Sequence, residues 1–225
     1  MKNKILHIIF PVDPTTDFLS VIIDYLKKNT EFQIIIHRIQ DLKEQIEFKN
    51  NLKQIVIENS LILFLGHGNS YSLRGPSVLN NNFGPLFEKE EINLLSKNRV
   101  IFLSCNSSDY LRDYIKRTEI ISGLGFPNLI TDEYDILYPD EPDRVNGINK
   151  NDIEMFKIIL INLVKLSIAD IINSDLTFYE FYKRLKLRTQ KKIIEIYSGS
   201  RNTKTPLGKM MYDLNEGLVF FGKSN

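Results

Sequence analysis

Two hydrophobic rhythms alternate along this chain, and the points where one gives way to the other predict its elements. Residues 5–10 are a short apolar run that Pro11-Val12-Asp13-Pro14 stops, as a buried strand ending in a turn would be. Behind Asp17, a natural cap, Phe18, Val21, Ile22, Tyr25 and Leu26 recur at helical spacing. Residues 32–39 are rich in β-branched side chains and predict a second strand, and residues 41–58 carry a weaker helical stripe. Leu61-Ile62-Leu63-Phe64-Leu65 is apolar without a break, the pattern of a central parallel strand covered on both faces.

The segment 66–87 is dense in Gly, Asn, Pro and Ser and predicts a long loop or irregular hairpin. A short helix over 88–97, a second buried strand over 100–103 and a helix from Ser107 or Asp109 to about residue 117 follow. Residues 119–122 and 129–131 are candidate strand pieces flanking Gly123-Leu124-Gly125-Phe126-Pro127. After an acidic, turn-rich stretch over 132–150 come two helical patterns, about 151–172 and 177–195, and a late apolar stretch over 218–221. Strands that alternate with helices predict an α/β three-layer sandwich. Its central sheet would have about six mostly parallel strands, with helices on both faces and a helical part from about residue 151. With no internal repeat, 225 residues are read as one domain.

Composition narrows the function classes. Hydrophobic residues make up 43% and charged residues 25%, a balance that excludes disordered and disulfide-scaffold chains. Twenty-nine Lys plus Arg against 28 Asp plus Glu leave a net charge of +1, so nucleic acid is at most an indirect partner. The apolar run behind Met1-Lys2-Asn3-Lys4 is too short for a signal peptide, and no run reaches the roughly 18–20 residues of a membrane span. With Cys105 the sole cysteine, no internal disulfide is possible; a cytoplasmic protein without membrane contact is expected.

Candidate chemistry sits where two buried strands end. One runs into Gly66-His67-Gly68 and the other into Ser104-Cys105-Asn106-Ser107. If those strands are parallel neighbours, a cysteine nucleophile and a general base emerge at one sheet edge, where open α/β sheets bind ligands. Gly68 and Cys105 can then offer backbone N–H groups to an oxyanion. A helix starting just past Cys105 would favour its thiolate. Ser104, one residue before, should face the other way and act in support.

An apolar strand ending in His-Gly, followed by another ending in Ser-x-Cys-x-Ser, resembles the caspase-like (clan CD) cysteine peptidases, most closely the CHAT-domain proteases. The resemblance extends over about residues 60–133, through Gly68-Asn69-Ser70-Tyr71-Ser72-Leu73-Arg74-Gly75, the helix at 88–97 and Gly123-Leu124-Gly125-Phe126-Pro127 with Thr131-Asp132-Glu133. It implies a caspase-like fold and peptide-bond hydrolysis with Cys105 as nucleophile and His67 as general base. An oxyanion contact from the Gly68 backbone is implied as well. Leu103-Ser104-Cys105-Asn106-Ser107 departs from the Gln-Ala-Cys-x-Gly signature of true caspases, so cleavage after aspartate does not follow. The resemblance further implies a protein or peptide substrate and a separate activating protein partner, in a bacterial stress or antiviral defence setting. No cofactor and no metal are expected, since one cysteine and three dispersed histidines lack zinc spacing. No phosphate-binding glycine motif follows a strand either.

Other features have plainer readings. His7 and His37 lie inside strand patterns and are read as structural. The stretch 132–154 holds eight acids against Arg144 and Lys150; Asp132 or Glu133 would select a basic substrate side chain if placed at a pocket, and otherwise the loop is solvated. The stretch 181–209 holds nine bases against Glu195, read as a solvated helix face rather than a nucleic-acid surface. The rival to an enzyme is a catalytically inactive caspase-like binding or adaptor module.

Overall fold

The computed structural model describes residues 5–30, 32–78, 81–82, 84–139, 142–174, 176–199 and 205–222. Strand β1 (Ile5–Pro11) passes through a 3-10 turn (Asp17–Leu19) into helix α1 (Ser20–Asn29). Then come β2 (Gln33–Ile39), α2 (Leu42–Ile55) and β3 (Leu61–Leu65). The glycine-rich segment folds into short strands β4 (Gly68–Asn69), β5 (Ser72–Arg74), β6 (Ser77–Val78), β7 (Asn81–Asn82) and β8 (Pro85–Glu88). A 3-10 helix (Lys89–Leu95) leads to β9 (Arg99–Leu103), α3 (Ser107–Tyr114) and β10 (Ser122–Gly125). The remainder is mainly helical: α4 (Glu133–Leu137), α5 (Pro142–Val145), α6 (Lys150–Asn173), α7 (Phe178–Gly199) and α8 (Pro206–Gly217), closed by β11 (Val219–Gly222).

Six strands make one sheet in the order β11-β10-β9-β3-β1-β2, parallel except for β11. Strand periodicity divides the core in two. Leu6, Ile8 and Phe10, Leu61, Leu63 and Leu65, and Ile101 and Leu103 face α1, α6, α7 and α8. The alternate residues Ile9, Ile62, Phe64, Val100 and Phe102 face α2, α3 and the β5–β8 ribbon. This is the three-layer α/β sandwich with a six-stranded, mostly parallel sheet that the pattern predicts. All five side chains of β3 are wholly buried. Burial of each such side chain is worth about 1.5–3 kcal/mol, which is why this strand has no polar position.

Several elements differ from expectation. The strand after α3 runs through the glycines, as β10, while residues 129–131 are irregular. Close packing explains it: a Cβ on Gly125 would stand 2.5 Å from Ser108 Cα, and one on Gly123 3.2 Å from the Leu111 methyl groups. Only glycine lets this strand lie so close under α3, and weak strand propensity is overridden by that fit. Asp17 caps nothing; it sits in the 3-10 turn and approaches Arg38 at 3.8 Å. The element after β8 is a 3-10 helix capped by Glu88 with Glu91 in a reciprocal box, and α4, α5 and α8 were not expected.

The basic stretch serves structure where it is described. Arg188 and Arg184 meet Asp170 at 2.8 and 3.6 Å, and Lys183 and Lys186 lie over Tyr179 and Tyr182. Arg201, Lys204, Asp140 and Glu141 lie outside the described residues. Among the described residues, no helix is long and apolar enough to cross a membrane.

Candidate active site

The sheet register assembles the site. Strands β3 and β9 are adjacent and parallel, with Leu65 opposite Leu103. The ladder continues one step further, since the Gly66 N–H donates to the Leu103 carbonyl at 3.3 Å. Two residues beyond the Leu65–Leu103 pair stand His67 and Cys105. Both line one narrow cleft, together with Gly66, Ser104, Leu129 and Thr131 and with Thr16 and Leu19 from the chain that follows β1. The cleft measures about 20 Å³, room for one water.

The turn carrying Cys105 is built by its neighbours. Asn106 takes a left-handed conformation (φ 54°), and its N–H donates to the Pro127 carbonyl at 3.1 Å. Ser107 ties three segments together: its hydroxyl lies 2.6 Å from the Phe102 carbonyl and 2.9 Å from the Ser104 carbonyl, and accepts from the Phe126 N–H at 2.9 Å. Cys105 thereby continues the alternation of Ile101 and Leu103 and packs, half-buried, against the core on the α6 side. Ser104 points the other way and is buried, as alternation requires, but its hydroxyl has no hydrogen-bond partner among the described residues. Gly68 crosses directly over it. A Cβ there would stand 2.7 Å from Ser104 Oγ and 3.2 Å from the Cys105 carbonyl oxygen, so no larger residue fits.

The electrostatics of the two central residues differ sharply. Burial pushes the Cys105 thiol up to about 11, with the Asp135 carboxylate acting in the same direction. The thiol donates to the Leu129 carbonyl at 3.3 Å. Desolvation thus opposes the thiolate that the start of α3 would favour. His67 in turn is bonded through Nε2 to the Thr15 hydroxyl at 2.6 Å and lies 3.5 Å from Asp13 Oδ1. Asp13 accepts from both the Thr15 N–H (2.8 Å) and the Thr15 hydroxyl (2.6 Å). Burial opposes its charge, but the nearby His67 ring and the bonds from Thr15 prevail and hold it down at about 2.

Asp13 and Thr15 were not singled out from the sequence. Their signal was position alone: an Asp/Thr turn after β1, the strand that lies beside β3 in the sheet. The acids that were singled out are engaged elsewhere. Asp132 caps α4, accepting from the Tyr134 N–H at 2.9 Å, and Glu133 meets Lys150 at 2.6 Å on the surface. Neither lines the Cys105 cleft. Asp135, by contrast, accepts from the Thr131 and Asp132 N–H groups and, with Arg144, lines a second cavity of about 170 Å³. Among the described residues no three His, Cys, Asp or Glu side chains cluster so as to hold a metal ion. In comparison with known proteins, no family model matches the chain and no curated protein matches its sequence.

Proposed function

We propose that this chain is a cysteine endopeptidase of the caspase-like, CHAT-domain kind, acting on protein or peptide substrates through Cys105 and His67. The observation that carries the reading is the β3–β9 register, which brings the one cysteine and a polar, partly exposed histidine to one cleft at the carboxyl edge of a parallel sheet. In the reaction, His67 takes the Cys105 proton and the thiolate attacks the peptide carbonyl. The tetrahedral oxyanion draws on backbone N–H groups near Gly68 and Cys105. His67 then returns its proton to the departing amine, and water hydrolyses the thioester.

The conformation described is a resting one. A thiol held at about 11 and bonded to the Leu129 carbonyl is a poor nucleophile, and a 20 Å³ cleft admits no peptide. Activity requires the segment around Leu129 to move, and we assign that step to a separate activating protein in the cytoplasm, in a bacterial stress or antiviral defence system. The same buried thiol favours a second reading, an inactive module of the same fold that binds rather than cleaves.

A pool of short fluorogenic peptides, together with iodoacetamide labelling of the folded chain, separates the two. The peptidase reading expects slow but measurable labelling of Cys105 and weak cleavage that Cys105→Ala abolishes. A thiol that stays unlabelled until the protein unfolds, with no cleavage at all, establishes the binding module instead.

A further inference from the structure

The hydroxyl of Thr15 has one proton and two neighbours that want it. It lies 2.6 Å from Asp13 Oδ1 and 2.6 Å from His67 Nε2. Asp13 is ionised at neutral pH even at the ordinary value of an aspartate, and a carboxylate can only accept. The Thr15 proton therefore belongs to Asp13, since two oxygens 2.6 Å apart with no proton between them would repel. With its proton committed, the Thr15 oxygen is left as an acceptor, and His67 must be the donor. The chain of bonds runs from His67 Nε2–H to Thr15 and from Thr15 O–H to Asp13. Nδ1 has no hydrogen-bond partner among the described residues.

We propose that Asp13 and Thr15 are positioning residues for His67, fixing its neutral form with the proton on Nε2 and the lone pair on Nδ1, the nitrogen that receives the Cys105 proton. The proposal rests on the Cys105–His67 reading. When the thiol proton moves from Sγ to Nδ1, its bond to the Leu129 carbonyl is given up, the products are a thiolate and an imidazolium, and no other covalent bond changes. Asp13, 3.5 Å from Nε2 and only 13% exposed, then faces the new positive charge from a poorly solvated position. Thr15 relays this contact and lets Asp13 act without touching the ring at bonding distance.

A plain turn-capping role for Asp13 is already served by the Thr15 N–H at 2.8 Å, so Thr15→Val separates the two roles. It keeps the backbone bond and the branched side chain but removes the relay. The full chain labelled with ¹⁵N-histidine is measured by NMR near neutral pH, the His67 signals being those lost in His67→Ala. The expected result is an Nε2–H tautomer in the native chain, kept in Thr15→Ser, and mixed tautomers in Thr15→Val. Asp13→Asn should also mix them, because an amide can donate to Thr15 and turn the relay around. A native Nδ1–H tautomer, or one that Thr15→Val leaves unchanged, would overturn the proposal.

Iodoacetamide alkylation of Cys105 is the second readout. It should slow about tenfold or more in both His67→Ala and Thr15→Val and recover in Thr15→Ser. If the tautomers behave as expected but His67→Ala alkylates at the native rate, the cysteine–histidine reading itself fails. Asp13 and Thr15 are then structural partners of a surface histidine and nothing more.

Discussion

Two histidine sites in this molecule show how a sheet decides what a side chain does. His7 lies within β1 and is fully buried; His37, on the adjacent β2 and two residues beyond the one that pairs with His7, is half-buried. Their rings stack 5.3 Å apart, and His7 Nδ1 lies 3.0 Å from His37 Nε2. Among the described residues, His7 Nε2 has no partner and no carboxylate bonds to the pair. Burial, and secondarily the neighbouring His37, pulls His7 down to about 4; burial lowers His37 as well. His67 instead stands past the end of β3, partly in solvent, with a carboxylate and a hydroxyl on one nitrogen. A histidine inside a strand is made neutral and kept so. One at a strand's carboxyl end, where loops bring partners from other strands, meets a hydroxyl and a carboxylate instead.

The largest test of this contrast is functional. With an activated preparation, His67→Ala should reduce peptide cleavage by about 10³-fold or more, whereas His7→Leu should leave it near the native level. Equal losses in the two variants would erase the distinction.

Stability against pH separates the sites in the opposite sense. The His7 value lies below that of the unfolded chain, so between about pH 6.5 and 4 the unfolded state binds more protons, and stability falls as the pH falls. Above pH 6.5 this contribution is fully present. A drop from 6.5 to about 4 corresponds to about 3 kcal/mol. Urea unfolding at pH 7 and pH 4.5 should show much of that loss, and His7→Leu should flatten the slope. A slope unchanged in His7→Leu would locate the acid sensitivity elsewhere.

A smaller effect tests the resting thiol. Asp135→Ala leaves the Thr131 and Asp132 N–H groups without their acceptor, which should cost about 1–2 kcal/mol and loosen the segment that carries Leu129. Iodoacetamide should then reach Cys105 faster than in the native chain. Slower or equal labelling would mean that the Leu129 carbonyl does not restrain the thiol. The smallest effect belongs to Glu133. Its contact with Lys150 is a surface pair, so Glu133→Gln should change neither the unfolding midpoint nor the preference among cleaved peptides. A shifted preference would return this acid to the substrate site.

What was legible along the chain followed from local rules. The unbroken run Leu61–Leu65 had to be a strand covered on both faces, and His67 and Cys105 were visible as polar residues past such runs. The pattern misplaces β10 because its glycines are weak strand formers, and the fit against Ser108 and Leu111 that favours them is visible only in three dimensions. Asp132 and Glu133 stood out by charge, yet capping and a surface pair occupy them, while Asp135 and Arg144 line the neighbouring cavity.

By itself, then, the sequence determined the alternation of strand and helix, the division of apolar residues between two faces, and the two strand ends that carry a thiol and an imidazole. These depend on periods of 2 and 3.6 residues, which are local properties of the chain. Tertiary structure alone decided that β3 lies between β1 and β9, and hence that Asp13, from a turn some 50 residues earlier in the chain, meets His67. It also decided that the half-buried Cys105 thiol lies against the Leu129 carbonyl, where desolvation raises it. Strand order and desolvation arise from the packing of distant segments, and nothing in a local pattern encodes which segments those will be.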